Sequence, residues 1–308
     1  MINLGDFYTS LTIVMILIFV GVFLSKIKIL KEDFIKSISH LILSFTMPIA
    51  LFLSFPNTFN AEDFSLFLWG LGAGFITLFI LIVLAELIFS KRIVKKDNYE
   101  YKFAFIFNNT SFIGFPLVST AFGPDGLVTY AGFMLPFIIL IWTYGVWLFK
   151  ENYTWRDTLN GFINPNVIGI GLGAILFILS INIPTIANDS LRLIGGLTTP
   201  LSLFVVGYML SKIKIQTVLK KWQVAFVCIL QLTIPAILTW LLLKLVNAPI
   251  VVINVIVLMY MLPTATSLGL FHKKYKSNKD ATEAGELVTI STLMAAITVP
   301  ILIYLLLS

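Results

Sequence analysis

Ten stretches of this chain contain no Asp, Glu, Lys or Arg: residues 7–25, 37–61, 64–85, 103–124, 126–149, 158–188, 193–211, 222–243, 245–271 and 287–308. Each reaches about 19 residues or more, enough for a helix to cross a hydrocarbon core roughly 30 Å thick. With 58% hydrophobic and 12% charged residues and a mean hydropathy of +0.98, a soluble globular class is excluded. The expectation is an all-α membrane protein of ten transmembrane helices, forming a single membrane domain over residues 1–308. The first stretch is kept as helix 1. Met1 to Asp6 offers no positive n-region, and no small-x-small cleavage site follows.

Basic residues fall on alternate loops. Lys26, Lys28, Lys31 and Lys36 share one; Lys91, Arg92, Lys95, Lys96 and Lys102 the next but one; then come Lys150 and Arg156, then Lys212, Lys214, Lys220 and Lys221, then Lys273, Lys274, Lys276 and Lys279. Only Arg192 and Lys244 of the 21 Lys and Arg lie elsewhere, and Asp6, Glu62, Asp63, Asp125 and Asp189 occupy the opposite loops. The positive-inside rule therefore places both termini outside the cytoplasm in a multi-pass protein of the cell membrane. A pI of 9.3 then needs no nucleic-acid partner, since the cations are topology signals and contacts for anionic lipids of the bilayer. The single Cys228 excludes a disulfide within the chain, and His40 and His272 have no metal-ligand spacing. No cofactor is expected.

Thr46-Met47-Pro48-Ile49-Ala50-Leu51-Phe52 in helix 2 matches Thr198-Thr199-Pro200-Leu201-Ser202-Leu203-Phe204 in helix 7, four of the seven positions being identical. Both fall in the second helix of a five-helix half. A five-helix unit has an odd number of crossings, so its second copy starts on the opposite side of the membrane. The expectation is two inverted repeats, residues 1–150 and 158–308. Helices 4 and 9 then correspond, and both are interrupted: Phe103 to Phe122 holds Asn108, Asn109, Thr110, Ser111, Gly114 and Pro116, and Val251 to Phe271 holds Pro263, Thr264, Thr266 and Ser267. Proline lacks an N–H and clashes with the carbonyl four residues back. Irregular backbone at membrane depth is tolerated where it is buried in protein or lines a cavity, and paired discontinuous helices mark the midplane sites of secondary transporters. On this reading the second halves start near Pro116 and near Pro263. Their N-terminal N–H groups suit a carboxylate, and restoring continuity with Pro116→Ala or Pro263→Ala impairs function.

The polar residues also have a plain structural use, because Ser, Thr and Asn join packed membrane helices. Asn109, just inside the break, is the residue assigned to substrate; Asn108 is divided between substrate and backbone satisfaction. No Lys or Arg lies at mid-depth. Glu86, at the cytoplasmic end of helix 3, reads as an interfacial carboxylate before a coupling group. Gln231 in helix 8 either lines the cavity or bonds across a helix interface.

Asn109-Thr110-Ser111-Phe112-Ile113-Gly114-Phe115-Pro116, Phe122-Gly123-Pro124-Asp125-Gly126, Asn164-Pro165-Asn166 and Pro200 to Gly207 together resemble the auxin efflux carrier family, which includes bacterial malate and malonate permeases and plant auxin exporters. The resemblance spans nearly the whole chain and implies a scaffold domain, a transport domain, and crossing of helices 4 and 9 at their prolines. It also implies transport of a small carboxylate, a homodimer, and a crossover asparagine at Asn109. The short segment between Phe149 and Gly161 is like that of compact bacterial members. Sodium coupling, proton coupling and uniport stay open, as do a neutral or amphipathic solute and a channel or sensor on the same fold. An intramembrane enzyme is excluded by the lack of paired aspartates, a Ser with a His, or a zinc motif within the spans.

Overall fold

The computed structural model describes residues 4–55, 58–90, 98–212, 221–276 and 282–307. Lys91, Arg92, Lys95, Lys96, Lys214, Lys220 and Lys279 of the charge pattern lie outside the described residues. Numbered to follow the ten uncharged stretches, the helices are α1 (Leu4–Lys26), α2 (Glu32–Phe52), α3 (Ala61–Ile88), α4a (Tyr99–Ile106), α4b (Thr110–Ala121), α5 (Gly123–Phe149), α6 (Pro165–Ile178), α7 (Thr185–Ser211), α8 (Trp222–Leu245), α9a (Ile250–Met261), α9b (Ser267–Tyr275) and α10 (Thr282–Leu306). No strand occurs among the described residues. Among the described residues seven helices are long and apolar enough to cross a membrane: α1, α2, α3, α5, α7, α8 and α10. The apolar helices α4b, α6 and α9a are shorter.

Two of these short helices come from the interrupted stretches. The third is shorter than the uncharged stretch 158–188 would allow and opens at the Asn164-Pro165-Asn166 motif. Asn164 accepts from the N–H of Asn166 and opens α6 at Pro165; the left-handed Ser180 (φ 51°) follows its end. At 1.5 Å per residue α6 is about 21 Å long. The residues before it form a separate linking helix, Trp155–Phe162, closed by a reciprocal Thr154–Asp157 cap. Lys150 joins that cap at 2.7 Å and, with the Thr154 bonds, holds the Asp157 carboxyl at about 2.

Prolines shape the other helices through widened turns. In α2 the segment Ile42–Thr46 is π-helical and the Met47 N–H reaches back to Ile42, leaving room for Pro48. In α4b the same happens over Thr110–Gly114, ahead of Pro116, with Phe115 bonding to Thr110. One extra residue in the turn relieves the clash between the proline ring and the preceding backbone.

The helices pack in two groups. In one, α1 lies on α7 and α6 on α2; in the other, α3 lies on α5, and α8 on α9a and α10. Glycine permits backbone contact at each main joint of the first group and at α3–α5. A Cβ on Gly132 would stand 2.2 Å from the Phe67 carbonyl oxygen, one on Gly70 2.2 Å from that of Thr129, one on Gly207 2.3 Å from that of Ile18, and one on Gly169 2.4 Å from that of Pro48. Small residues at such crossings let helices approach where lipid supplies no hydrophobic drive. α4b touches α5 within its own group and α1 and α7 in the other.

Candidate functional site

Helices 4 and 9 both break in the interior, and the two breaks pair with each other. The Asn109 N–H donates to the Pro263 carbonyl (2.7 Å) and the Ala265 N–H to the Phe107 carbonyl (2.9 Å), forming a single antiparallel bridge between Asn108 and Thr264. Non-helical backbone leaves donors and acceptors that hydrocarbon cannot satisfy; here each break satisfies the other.

Side chains complete the arrangement. Asn108 Nδ2 donates to the carbonyls of Tyr260 (3.0 Å) and Leu262 (2.9 Å), and Gln231 Nε2 to that of Leu262 (2.8 Å). Two amides thus cap the C-terminal end of α9a, whose last carbonyls have no intrahelical donor. Asn109 Oδ1 accepts from the Phe112 N–H (3.2 Å) and caps the start of α4b. Its Nδ2 has no acceptor among the described residues. Tyr130 from α5 donates to the Thr110 carbonyl (3.0 Å), and Ser291 from α10 accepts from the Thr264 N–H (3.1 Å). Asn108, Asn109, Thr110, Pro263, Thr264 and Gln231 are brought together and buried; Ser111, Thr266 and Ser267 are half-buried.

A cavity of about 510 Å³ reaches this region from the side of the basic loops. Thr266, at the cap of α9b, lies in its wall with Thr289 and Thr292 of α10 and Tyr208 of α7, while Glu32 and Lys212 stand at the loop ends. Asn109 is not part of the wall. The volume is of the size that accommodates small ligands.

A sequence model of the family described as membrane transport protein matches residues 6–158 and 154–303. The chain belongs to this family. This membrane transport protein family is that of the auxin efflux carriers, and its members are transporters, not enzymes. Among curated proteins no match to the chain is found.

Within this family member, two expectations about the prolines are corrected. α4b starts at Thr110, six residues before Pro116, and the break of helix 4 lies at Phe107 to Asn109. Pro116 and Pro263 therefore do not occupy matching places: Pro263 is in the break, opposite Asn109, and Pro116 is inside a helix behind the π turn. Because backbone pairing and amide caps hold the helix 4 break, Pro116→Ala is expected to keep it and to leave ligand binding within about twofold of wild type. A tenfold loss, about 1.4 kcal/mol, measured in a binding assay on purified protein, would count against this.

Glu86 is placed at the end of α3, where it pairs with Lys102 (2.6 Å) and accepts from the Tyr144 hydroxyl (2.7 Å), tying α3 to α4a and α5. His272 is buried beside Glu100, Nδ1 standing 2.8 Å from Oε1. Sequence reasoning missed Glu100, Tyr130 and Ser291. Glu100 sits in a charged loop-like segment; Tyr130 and Ser291 are single polar residues on otherwise apolar helices. No local pattern marks any of them.

Proposed function

We propose that this transporter moves a small organic anion, a dicarboxylate such as malate or malonate or another weak carboxylic acid, by alternating access. The observation that carries the reading is the interlocked pair of broken helices, with a cavity ending at the cap of one of them. Two half-helix N-termini, α4b and α9b, present partial positive charge in a region whose flanking stretches hold no Lys or Arg. The free Nδ2 of Asn109 and the hydroxyl of Ser111 supply donors beside the first; Thr266 and Ser267 supply them beside the second. Carboxylates need donors, and these are donors.

Ten crossings in two inverted repeats are part of this reading, with both termini outside the cytoplasm. Support comes from the packing: exchanging the repeats turns the α1–α7 joint into α6–α2 and the α3–α5 joint into α8–α10. Thr46 and Thr198, matching residues of the repeated heptad, meet each other at 3.0 Å. The group α1, α2, α6 and α7 then serves as scaffold and the other as the moving body, and the cavity on the basic side is the inward-facing access route.

The test is a thermal-shift screen of purified protein against malate, malonate, succinate, lactate, citrate and indole-3-acetate, with neutral sugars and amino acids as controls. Ligand at 100 times its Kd stabilises by about 2.7 kcal/mol. Asn109→Ala removes one charge-assisted donor and is expected to weaken the responding carboxylate by about tenfold or more. Stabilisation by neutral solutes alone sinks the organic-anion reading; an unchanged response in the mutant removes Asn109 from the site.

A further inference from the structure

The crossover contains more than donors. Four buried side-chain oxygens of the crossover have no hydrogen-bond partner among the described residues: Asn108 Oδ1, Thr110 Oγ1, Gln231 Oε1 and Thr264 Oγ1. Their residues are 1%, 1%, 0% and 0% exposed. A buried polar atom without a partner costs free energy, and a group of them in one place calls for something to satisfy them.

The orientation of the amides decides what that can be. Asn108 presents Nδ2 to two carbonyls and Gln231 presents Nε2 to one. Turning either amide over would set oxygen against oxygen, so the assignment is fixed by the backbone. What remains at each is an acceptor with no proton to give. Both amides meet the same oxygen, that of Leu262, and Thr264 stands directly opposite Asn108 across the bridge. Asn108, Gln231 and Thr264 therefore meet at the C-terminal end of α9a, the negative end of its dipole, and the Thr110 N–H ties that residue to the Asn108 carbonyl (2.8 Å). A carboxylate is repelled there. A cation is not.

The geometry points to a site for a small monovalent cation, with Na+ as its physiological occupant, formed by Asn108, Gln231, Thr264 and Thr110 at the end of α9a. The oxygens are neutral carboxamides and hydroxyls. Mg2+ and Ca2+ sites rely on carboxylates, which the stretches around the crossover lack. This inference rests on the organic-anion reading for its purpose: a cation bound at the acceptor-rich side offsets the charge of a carboxylate held at the donor-rich side. Movement of the loaded site then carries one negative charge fewer through an interior without Lys or Arg. Discontinuous helices lend themselves to this division, with N-terminal ends toward the anion and C-terminal ends toward the cation.

Thr264→Val is the informative variant. The Thr264 hydroxyl makes no hydrogen bond among the described residues, so an isosteric apolar replacement removes the oxygen and leaves the other bonds and the backbone bridge in place. If the hydroxyl were an idle buried group, the change would be neutral or stabilising. Purified protein is titrated with NaCl, KCl, LiCl and choline chloride at constant ionic strength, following thermal unfolding and equilibrium binding of radioactive sodium. The expected result is a saturable stabilisation by Na+ over choline. In Thr264→Val the half-saturating Na+ rises by about tenfold or more, and Thr264→Ser retains the response. Thr110→Val provides a second variant of the same kind. Equal unfolding temperatures in all four salts, or a Thr264→Val protein that responds as wild type does, overturns the site. The carboxylate screen repeated in NaCl and in choline chloride separates the two readings. Equal carboxylate binding in both salts overturns the coupling while the anion reading stands. A sodium response with no carboxylate binding in either salt keeps the cation site and sinks the anion reading.

Discussion

Asn108→Asp is expected to be more damaging than Asn108→Ala, although Asp has nearly the shape of Asn. The asparagine donates twice, to the Tyr260 and Leu262 carbonyls, in a region 1% exposed. Alanine removes both donors and leaves buried acceptors short of partners, at roughly 1–3 kcal/mol for each group left unsatisfied. An ionised aspartate adds to that loss a buried charge aimed at two carbonyl oxygens, which is costlier still. Since the amide holds the end of α9a against the helix 4 break, both variants are expected to lose transport along with stability. Thermal unfolding of the detergent-purified variants checks the order. An aspartate variant as stable as wild type would show that the amide is not the cap.

Gly132→Ala and Gly70→Ala are expected to prevent normal packing of α3 on α5, whereas Gly72→Ala, two residues along α3 from Gly70 and turned away from α5, is expected to be harmless. An added Cβ meets backbone oxygen at 2.2 Å in the first two cases and nothing within 4 Å in the third. Backbone cannot step aside as a side-chain tip can. Overpacking of this kind costs typically 1–3 kcal/mol, occasionally more, while alanine for glycine in an exposed helix position gains roughly 0.5–1 kcal/mol. Size-exclusion profiles and unfolding temperatures of the three variants measure the contrast. Three indistinguishable proteins would mean that the α3–α5 distance is set elsewhere.

Much of the architecture was legible because membrane helices write themselves as uncharged runs and their loops as alternating basic clusters. The polar residues within helices 4 and 9 announced the breaks for the same reason: hydrocarbon does not tolerate them singly. Where the reading went astray, local and non-local forces competed. Pro116 looked like the break of helix 4, yet a π turn absorbs its clash, and the chain opens at Phe107, where residues from helix 9 supply the missing bonds. Uncharged length alone overstated helix 6: the Asn164-Pro165 motif marks its start, but the left-handed Ser180 that follows its end leaves no trace in hydropathy. The cap that Asn108 places on α9a joins residues more than 150 positions apart. Only the assembled helices bring donor and acceptor together.

The close glycine joints described above all fall within one group or the other: α1 on α7, α6 on α2, α3 on α5. Where α4b meets α1 and α7, contact runs through hydroxyls: Ser10 donates to the Thr120 carbonyl (2.8 Å), and Ser119 shares a hydrogen with Thr199 (3.2 Å). A backbone seated in a glycine notch must lift before it can shift, so those joints behave as welds. Hydroxyls exchange partners one at a time with little change in packing, so under the alternating access proposed above the seam between the groups would serve as a lubricated bearing, with α4b as its sliding surface.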